Sequence, residues 1–245
     1  MFTNSGITSG GTLLIHSSLS RTMKQTGHSQ AEILQFLLDA LGPKGTLLLP
    51  LFNLGFTKGS AFDIRSTQSE MGILTECGRT WPNAVRTGHP IYSFAAIGAQ
   101  AHRFATVNNL SAYGADSPFS MLREMDGDIG VIDLPDQNSM TFYHHVEEMQ
   151  NVPYRFHKNF TGTYTDHFGR TEKRTYKIFV RDMENGVVTR VNRMGELLWD
   201  RGLYKGERPG IGTGLRIIKA RGIYNEVKSI IDAGKAKDFL YDVEN

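Results

Sequence analysis

Gly11-Thr-Leu-Leu-Ile-His16-Ser17, Ser29-Gln-Ala-Glu32-Ile-Leu-Gln-Phe-Leu-Leu-Asp-Ala-Leu41 and Gly45-Thr-Leu-Leu-Leu-Pro-Leu51 are the three pieces on which the fold turns. The first and third are short apolar runs bounded by glycine, with the length and flanks of buried strands. Between them, Ser29 and Glu32 stand at capping-box spacing: the serine oxygen accepts from the backbone N–H three residues on, and the glutamate reaches back. Ile33, Leu34, Leu37, Leu38 and Leu41 recur at helical spacing and give that helix an apolar face. Gly42-Pro43 stops it. The polar residues from 18 through Gly27 read as a loop. Strand, helix and strand in this order predict a right-handed βαβ unit.

Outward from this unit the pattern stays mixed. Gly72 to Arg79 reads as a short helix, Ile91 to Ile97 as a strand and Ala99 to Ala105 as a helix, with residues 53–70 a loop. Ser117-Pro118 is an N-cap followed by proline at the first helical position, so a helix is expected to about Met125. Asp128 to Leu134 is another apolar strand, and Ser139 to Met149 is expected to be helical. After Pro153 the texture changes. Thr161 to Thr165 and Thr175 to Val180 read as a hairpin turning at Asp166 to Gly169. A helix over Met194 to Asp200, a strand over Leu215 to Ala220 and a helix over Gly222 to Ala233 follow. The expected architecture is α/β, a three-layer α/β/α sandwich over residues 1–153. A smaller, more antiparallel, basic β-containing part over 154–245 packs on it as one unit. No Gly/Ser linker separates the two.

Composition excludes several classes. The 245 residues are 40% hydrophobic and 21% charged, ordinary globular usage that leaves no room for a disordered, collagenous or disulfide-dense chain. Net charge is +2, too even for a dedicated nucleic-acid binder. The charge is unevenly spread, however: residues 151–221 hold 15 Lys or Arg against seven Asp or Glu. Such a stretch is either a solvated face or a field for phosphates or carboxylates. The single cysteine, Cys77, forms no internal bridge. No secretory leader pattern and no apolar run of about 20 residues is present, so a soluble cytoplasmic chain with no membrane partner is expected. Nothing in the sequence sets an oligomeric state.

Three clusters carry possible chemistry. His144 and Glu147 in Thr141-Phe-Tyr-His144-His145-Val-Glu147 lie three apart on an expected helix and share a face. A carboxylate on one imidazole nitrogen fixes the tautomer and raises the basicity of the other, the orienting half of a general-base pair. Spacing alone equally allows an exposed, incidental pair. A metal reading is poor: adjacent helical residues point about 100° apart, so at most two of His144, His145, Glu147 and Glu148 could serve one ion, and no zinc-type spacing exists. The second cluster is His16-Ser17-Ser18-Leu19-Ser20, at the end of a strand, where hydroxyls and backbone N–H groups can hold a phosphate or a polar amide chain. The third is Arg86-Thr-Gly-His89-Pro-x-x-Ser93, a guanidinium fork and a histidine held extended by the proline, or simply a turn.

In their order these segments resemble the aminoglycoside 3-N-acetyltransferase family. The likeness runs from about Ile7 to Tyr154 through Leu-Leu-Ile-His16-Ser-Ser-Leu-Ser20, Gly45-Thr-Leu-Leu-Leu-Pro50 and Ser69-Glu-Met-Gly72-Ile-Leu-Thr-Glu76. It continues through Val85-Arg-Thr-Gly-His89-Pro-x-x-Ser93-x-Ala-Ala-x-Gly98, Gly114-x-x-Ser117-Pro118 and Thr141-x-x-His144-x-x-Glu147. The resemblance implies an α/β/α fold with a smaller β part and transfer of acetyl from acetyl-CoA to a sugar amine, with no metal. It implies His144 as base with Glu147 orienting it, and CoA contacts at Ser17, Ser18, Leu19, Ser20, Arg86, His89, Ser93 and Ser117. Where the family usually has glycine after the strand preceding Thr-x-x-His, this chain has Asp133. The expected acceptor is a small-molecule amino sugar, a nucleotide-linked one of polysaccharide synthesis or an aminoglycoside antibiotic. A non-catalytic CoA or sugar-nucleotide binder and a metal hydrolase are the competing classes.

Overall fold

The computed structural model describes residues 6–244. Its first strand, β1 (Thr12–Ser17), is followed by two helices, α1 (Ser20–Thr26) and α2 (Gln30–Leu41), and then by β2 (Thr46–Phe52). Ser29 caps α2 with both bonds of the capping box, and α2 buries Ile33, Leu34, Leu37 and Leu41. Each of those side chains contributes roughly 1.5–3 kcal/mol relative to remaining exposed. Residues 18–27 are not the expected loop. α1 occupies most of them and closes on Gly27, whose φ of 72° lets its N–H reach the Met23 carbonyl. Only Thr22 of α1 is buried, so no apolar period announces it.

β3 (Phe62–Asp63), α3 (Ile73–Arg79), β4 (Val85–Arg86), β5 (Tyr92–Gly98) and α4 (Ala101–Ala105) follow. Next come α5 (Pro118–Glu124), capped by Ser117, then β6 (Asp128–Ile132) and α6 (Phe142–Met149). The hairpin β7 (Arg155–Thr165) and β8 (Thr171–Arg181) is much longer than expected. The chain ends with β9 (Val187–Thr189), α7 (Asn192–Asp200), β10 (Lys205–Gly206), β11 (Leu215–Lys219), α8 (Ala220–Asp232), α9 (Ala236–Phe239) and β12 (Tyr241–Val243).

Among the described residues seven strands form the main sheet, in the order β10-β11-β6-β1-β2-β5-β4. β6, β1 and β2 are mutually parallel, while β11 and β5 flank them antiparallel. On one face Leu13, Ile15, Leu47, Leu49 and Leu51 pack with α2 and α3. On the other Leu14, Leu48, Ile129 and Val131 pack with α5, α6, α7 and α8. The result is the expected α/β/α sandwich. The division at residue 153 runs through this sheet rather than beside it: β10 and β11 come from the later half and complete it past β6. The smaller β part is the sheet β3-β7-β8, in which two residues from the expected 53–70 loop pair with the hairpin. The parallel centre brings the carboxyl ends of β1 and β6 side by side, where open α/β sheets place ligands. Residues 133–141 lead from there into α6.

Candidate active site

α6 is amphipathic by burial. Phe142, Tyr143, His145, Val146 and Glu147 face inward, and Glu147 is 1% exposed. His144 keeps one fifth of its side chain accessible and places Nδ1 2.7 Å from Glu147 Oε2. The pair is therefore buried and directional, not an incidental contact on a solvated helix. An ionised carboxylate only accepts, so neutral His144 carries its proton on Nδ1 and its lone pair on Nε2. Tyr113 packs against the imidazole with ring centroids 5.3 Å apart, and Tyr92 packs on Tyr113 at 4.9 Å.

A third charged group enters from β7. Arg155 Nε stands 2.9 Å from the same Glu147 oxygen, close enough to pair but without the alignment of a hydrogen bond. Its Nη1 donates to the Phe179 carbonyl across the hairpin at 3.1 Å. Burial alone pushes the Glu147 carboxyl up, but Arg155 and His144 outweigh it and hold Glu147 below the ordinary carboxylate value. For His144 burial is the largest effect and lowers its pKa, Arg155 lowers it further, and the bond to Glu147 opposes both without reversing them. At neutral pH the pair is therefore an anionic Glu147 beside a neutral imidazole with a free lone pair. That is the state from which a proton can be accepted.

His144, Tyr113, Tyr92 and Arg155 line a cavity of about 550 Å³. The hairpin supplies most of the rest, including Phe156, Lys158, Phe160 and Arg181, with Glu184 just beyond it. Sequence reasoning missed Tyr92, Tyr113, Arg155, Lys158 and Arg181. The basic excess of residues 151–221 was the one signal for the last three, and it did not single them out. His145 lies apart from the cavity: it is fully buried, with Nδ1 2.7 Å from the Tyr113 carbonyl. Glu147 is committed to His144 and Arg155, and among the described residues no three His, Cys, Asp or Glu side chains converge as a metal site requires.

The other motif residues divide into two groups. Ser17 and Ser18 are partly exposed, Leu19 is buried and Ser20 is exposed, so hydroxyls are available at the carboxyl end of β1. The Ser18 N–H donates to the Ile132 carbonyl at 2.9 Å, tying this turn to β6. His16, just before it, is 5% exposed, and its Nε2 has no hydrogen-bond partner among the described residues. Arg86, His89, Ser93 and Ser117 are buried instead, with their polar atoms turned inward. Arg86 Nε donates to Ser93 Oγ at 3.0 Å, its Nη1 donates to the Thr67 carbonyl, and its guanidinium stacks 4.8 Å from the Phe62 ring centroid. His89 Nδ1 accepts from the backbone N–H groups of Ile91 and Tyr92 at 3.2 and 3.0 Å. Ser117 Oγ accepts from the Ser120 N–H and caps α5.

Asp133 explains its own departure from glycine. Its φ is 53°, the left-handed region that glycine occupies without strain. Its carboxylate receives Arg21 Nε and Nη2 at 2.8 and 2.7 Å and the Gly210 N–H at 2.9 Å. The clamp fastens the start of α1 and residues 210–214 to the loop that leads into α6.

A carboxylate-oriented imidazole lining a cavity in an α/β/α sandwich is an arrangement chemically able to accept a proton. A model of the aminoglycoside 3-N-acetyltransferase family matches residues 14–232, and the chain belongs to that family. Aminoglycoside N(3)-acetyltransferase IV from Salmonella sp is 30% identical over 154 residues, 62% of this chain and 57% of that protein. Aminoglycoside N(3)-acetyltransferase III from Pseudomonas aeruginosa is 29% identical over 63% of this chain and 62% of its own length. The matches thus span about three fifths of these curated relatives. Among solved structures, the apoenzyme of aminoglycoside acetyltransferase AAC(3)-IVa superposes with a TM-score of 0.76 at 24% identity, covering 96% of this chain and 86% of that one. AAC-IIIb in a binary complex with CoASH gives 0.78 at 22%, covering 95% and 94%. Both share the fold.

Proposed function

We propose that this chain transfers the acetyl group of acetyl-CoA to the amine of an amino sugar in the cytoplasm, with His144 as general base and Glu147 as its orienting carboxylate. The observation that carries the reading is the 2.7 Å Nδ1 to Oε2 contact, which leaves the other imidazole nitrogen at a cavity. A sugar amine is largely protonated near neutral pH, like a protein amino group, and only its free base attacks a thioester. As the nitrogen bonds to the acetyl carbon, the carbon–sulfur bond breaks. His144 takes the proton from nitrogen, and the departing thiolate receives one. Proton transfer of this kind contributes ~10²–10⁴-fold. The Ser17-Ser18-Leu19-Ser20 turn is assigned to CoA, because its hydroxyls are accessible at a strand end. Arg86, His89, Ser93 and Ser117, buried on β4, β5, the turn between them and the start of α5, act as structural support. The acceptors in view include nucleotide-linked amino sugars.

An antibiotic acceptor is the second reading, favoured by family membership and by relatives named as aminoglycoside N(3)-acetyltransferases. Thiol release from acetyl-CoA, measured with EDTA present against amino sugars, nucleotide-linked amino sugars and aminoglycosides, tests both. N-acetylated product with any of these amines supports the transferase. Thiol release that needs zinc, or none with any amine, overturns it.

A further inference from the structure

We propose that the hairpin wall of the cavity is a subsite for an anionic group, phosphate or carboxylate, on the acceptor, held by Arg181 and Lys158. The proposal deepens the transferase reading and rests on it for the amine at His144. Its starting point is a register. Arg155 and Arg181 stand directly opposite each other across β7 and β8. Like charges at directly opposed positions repel and destabilise a strand pair. Arg155 is answered by Glu147 at 2.9 Å. Arg181 has no carboxylate within ion-pair distance among the described residues, and neither has Lys158. The two other arginines of the hairpin, Arg170 and Arg174, do not line the cavity and are paired with Asp166 and Glu172. Of the other β8 cations outside the cavity, Lys173 donates to Thr163 Oγ1 at 3.0 Å. Arg181 and Lys158 differ from all of these in lining a cavity, where a ligand can reach them.

The remaining lining agrees. Glu184 is the one acid of the wall, against Arg155, Lys158 and Arg181. At the mouth Phe156, Met183 and Leu54 are 46%, 67% and 42% exposed, an apolar rim suited to the faces of a ring. Cavities of ~300–1,000 Å³ hold drug-sized ligands, so one of about 550 Å³ accommodates a hexosamine bearing a phosphate. An anion held by Arg181, or by Lys158 three positions along the hairpin, anchors the far end of the acceptor and reduces the freedom of its amine before attack. The same field repels a polycation, most strongly at low salt.

The test compares glucosamine, glucosamine 6-phosphate and kanamycin as acceptors at saturating acetyl-CoA, in the wild type and in K158E/R181E. At about 0.02 M salt the wild type is expected to favour the phosphate over glucosamine by about tenfold in kcat/KM, with kanamycin last. That ratio is expected to shrink at about 0.3 M and to invert in the double variant. Ratios between substrates cancel any loss of folded enzyme. Calorimetric titration with the two glucosamines reads the subsite independently of turnover. Expected is tighter binding of the phosphate by the wild type, abolished in K158E/R181E. A wild-type ratio near one, a preference for kanamycin, or equal binding of the two sugars overturns the subsite while leaving acetyl transfer standing. A raised KM for acetyl-CoA with an unchanged sugar ratio also overturns it, since the two cations would then serve the phosphates of CoA. Absence of transfer to every amine, with preferential binding of the phosphate intact, sinks the transferase reading alone.

Discussion

Two walls line one cavity, and they treat charge in opposite ways. On the α6 wall Glu147 is bound to His144 and Arg155, and the nearby His145 is tied to the Tyr113 carbonyl. On the hairpin wall Lys158 and Arg181 stand without a carboxylate partner. A buried polar group left unpaired costs about 1–3 kcal/mol, so most are satisfied within the chain. Groups that keep contact with water carry no such demand and stay available to a ligand. The comparison teaches where to look for each task. Proton chemistry needs a group whose tautomer and charge are set by buried neighbours, whereas recognition needs a group left open.

The α6 wall gives the largest expected effect. His144→Ala is predicted to reduce turnover by about 10²–10⁴-fold with CoA affinity retained, and Glu147→Gln to lose less, because the imidazole remains but is poorly oriented. Steady-state kinetics beside CoA titration checks both. Near-normal turnover in His144→Ala would make α6 an ordinary structural helix and erase the distinction between the walls.

Acid sharpens the same contrast through stability. His16, His89 and His145 are buried in the core, and burial lowers their pKa values to about 4, about 3 and about 4. For His89 the reason is also visible in its bonds, since Nδ1 accepts two backbone N–H groups and has no room for a proton. The folded state keeps these rings neutral, while the unfolded chain takes up protons once pH falls below about 6.5. Stability is therefore full above that value and declines as pH falls from it toward 4. The loss is somewhat over 1 kcal/mol per histidine by pH 5.5, ~4 in all. Urea unfolding at pH 7.5 and 5.5 measures it, and an unchanged midpoint would contradict the assignment. A smaller effect belongs to Arg155, which touches both walls. It lowers the pKa of His144, so Arg155→Gln is expected to move the acid limb of kcat/KM to higher pH and to cost a few-fold in rate near pH 6. An acid limb that stays in place would show that Arg155 only braces the hairpin.

The α6 wall was legible in the sequence and the hairpin wall was not. His144 and Glu147 are three apart on one helix, so periodicity alone puts them on one face. β1, α2 and β2 were legible for the same reason: short-range period, capping and glycine boundaries are local signals. α1 was not, because Ser20 to Thr26 has no apolar face to display. Arg155, Lys158 and Arg181 owe their places to strand pairing over many residues, and the register that opposes Arg155 to Arg181 is nowhere encoded in their spacing. The contribution of β10 and β11 to the main sheet was hidden likewise, since a strand's partner is decided by packing. Arg86, His89, Ser93 and Ser117 illustrate another gap. A motif marks residues that matter together, but burial decides which face the ligand.

Ser117 tests that last point with the smallest expected effect. Its hydroxyl is fully buried and accepts from the Ser120 N–H, one of the N–H groups left open at the start of α5. Loss of an N-cap oxygen costs about 1 kcal/mol, equivalent to roughly 2–4 °C in Tm for a chain of this size. Ser117→Ala is therefore expected to lower Tm by that amount while the KM for acetyl-CoA stays at its wild-type value. Ser18→Ala and Ser20→Ala are expected to do the reverse, raising that KM with Tm unchanged, because their side chains keep access to solvent at the end of β1. Thermal melting and acetyl-CoA titration on the three variants separate the two behaviours. If Ser117→Ala raised the KM as much as Ser18→Ala, then CoA would reach a residue that the folded chain encloses. The start of α5 would then have to open when CoA binds, and the turn after β1 would be only part of its site.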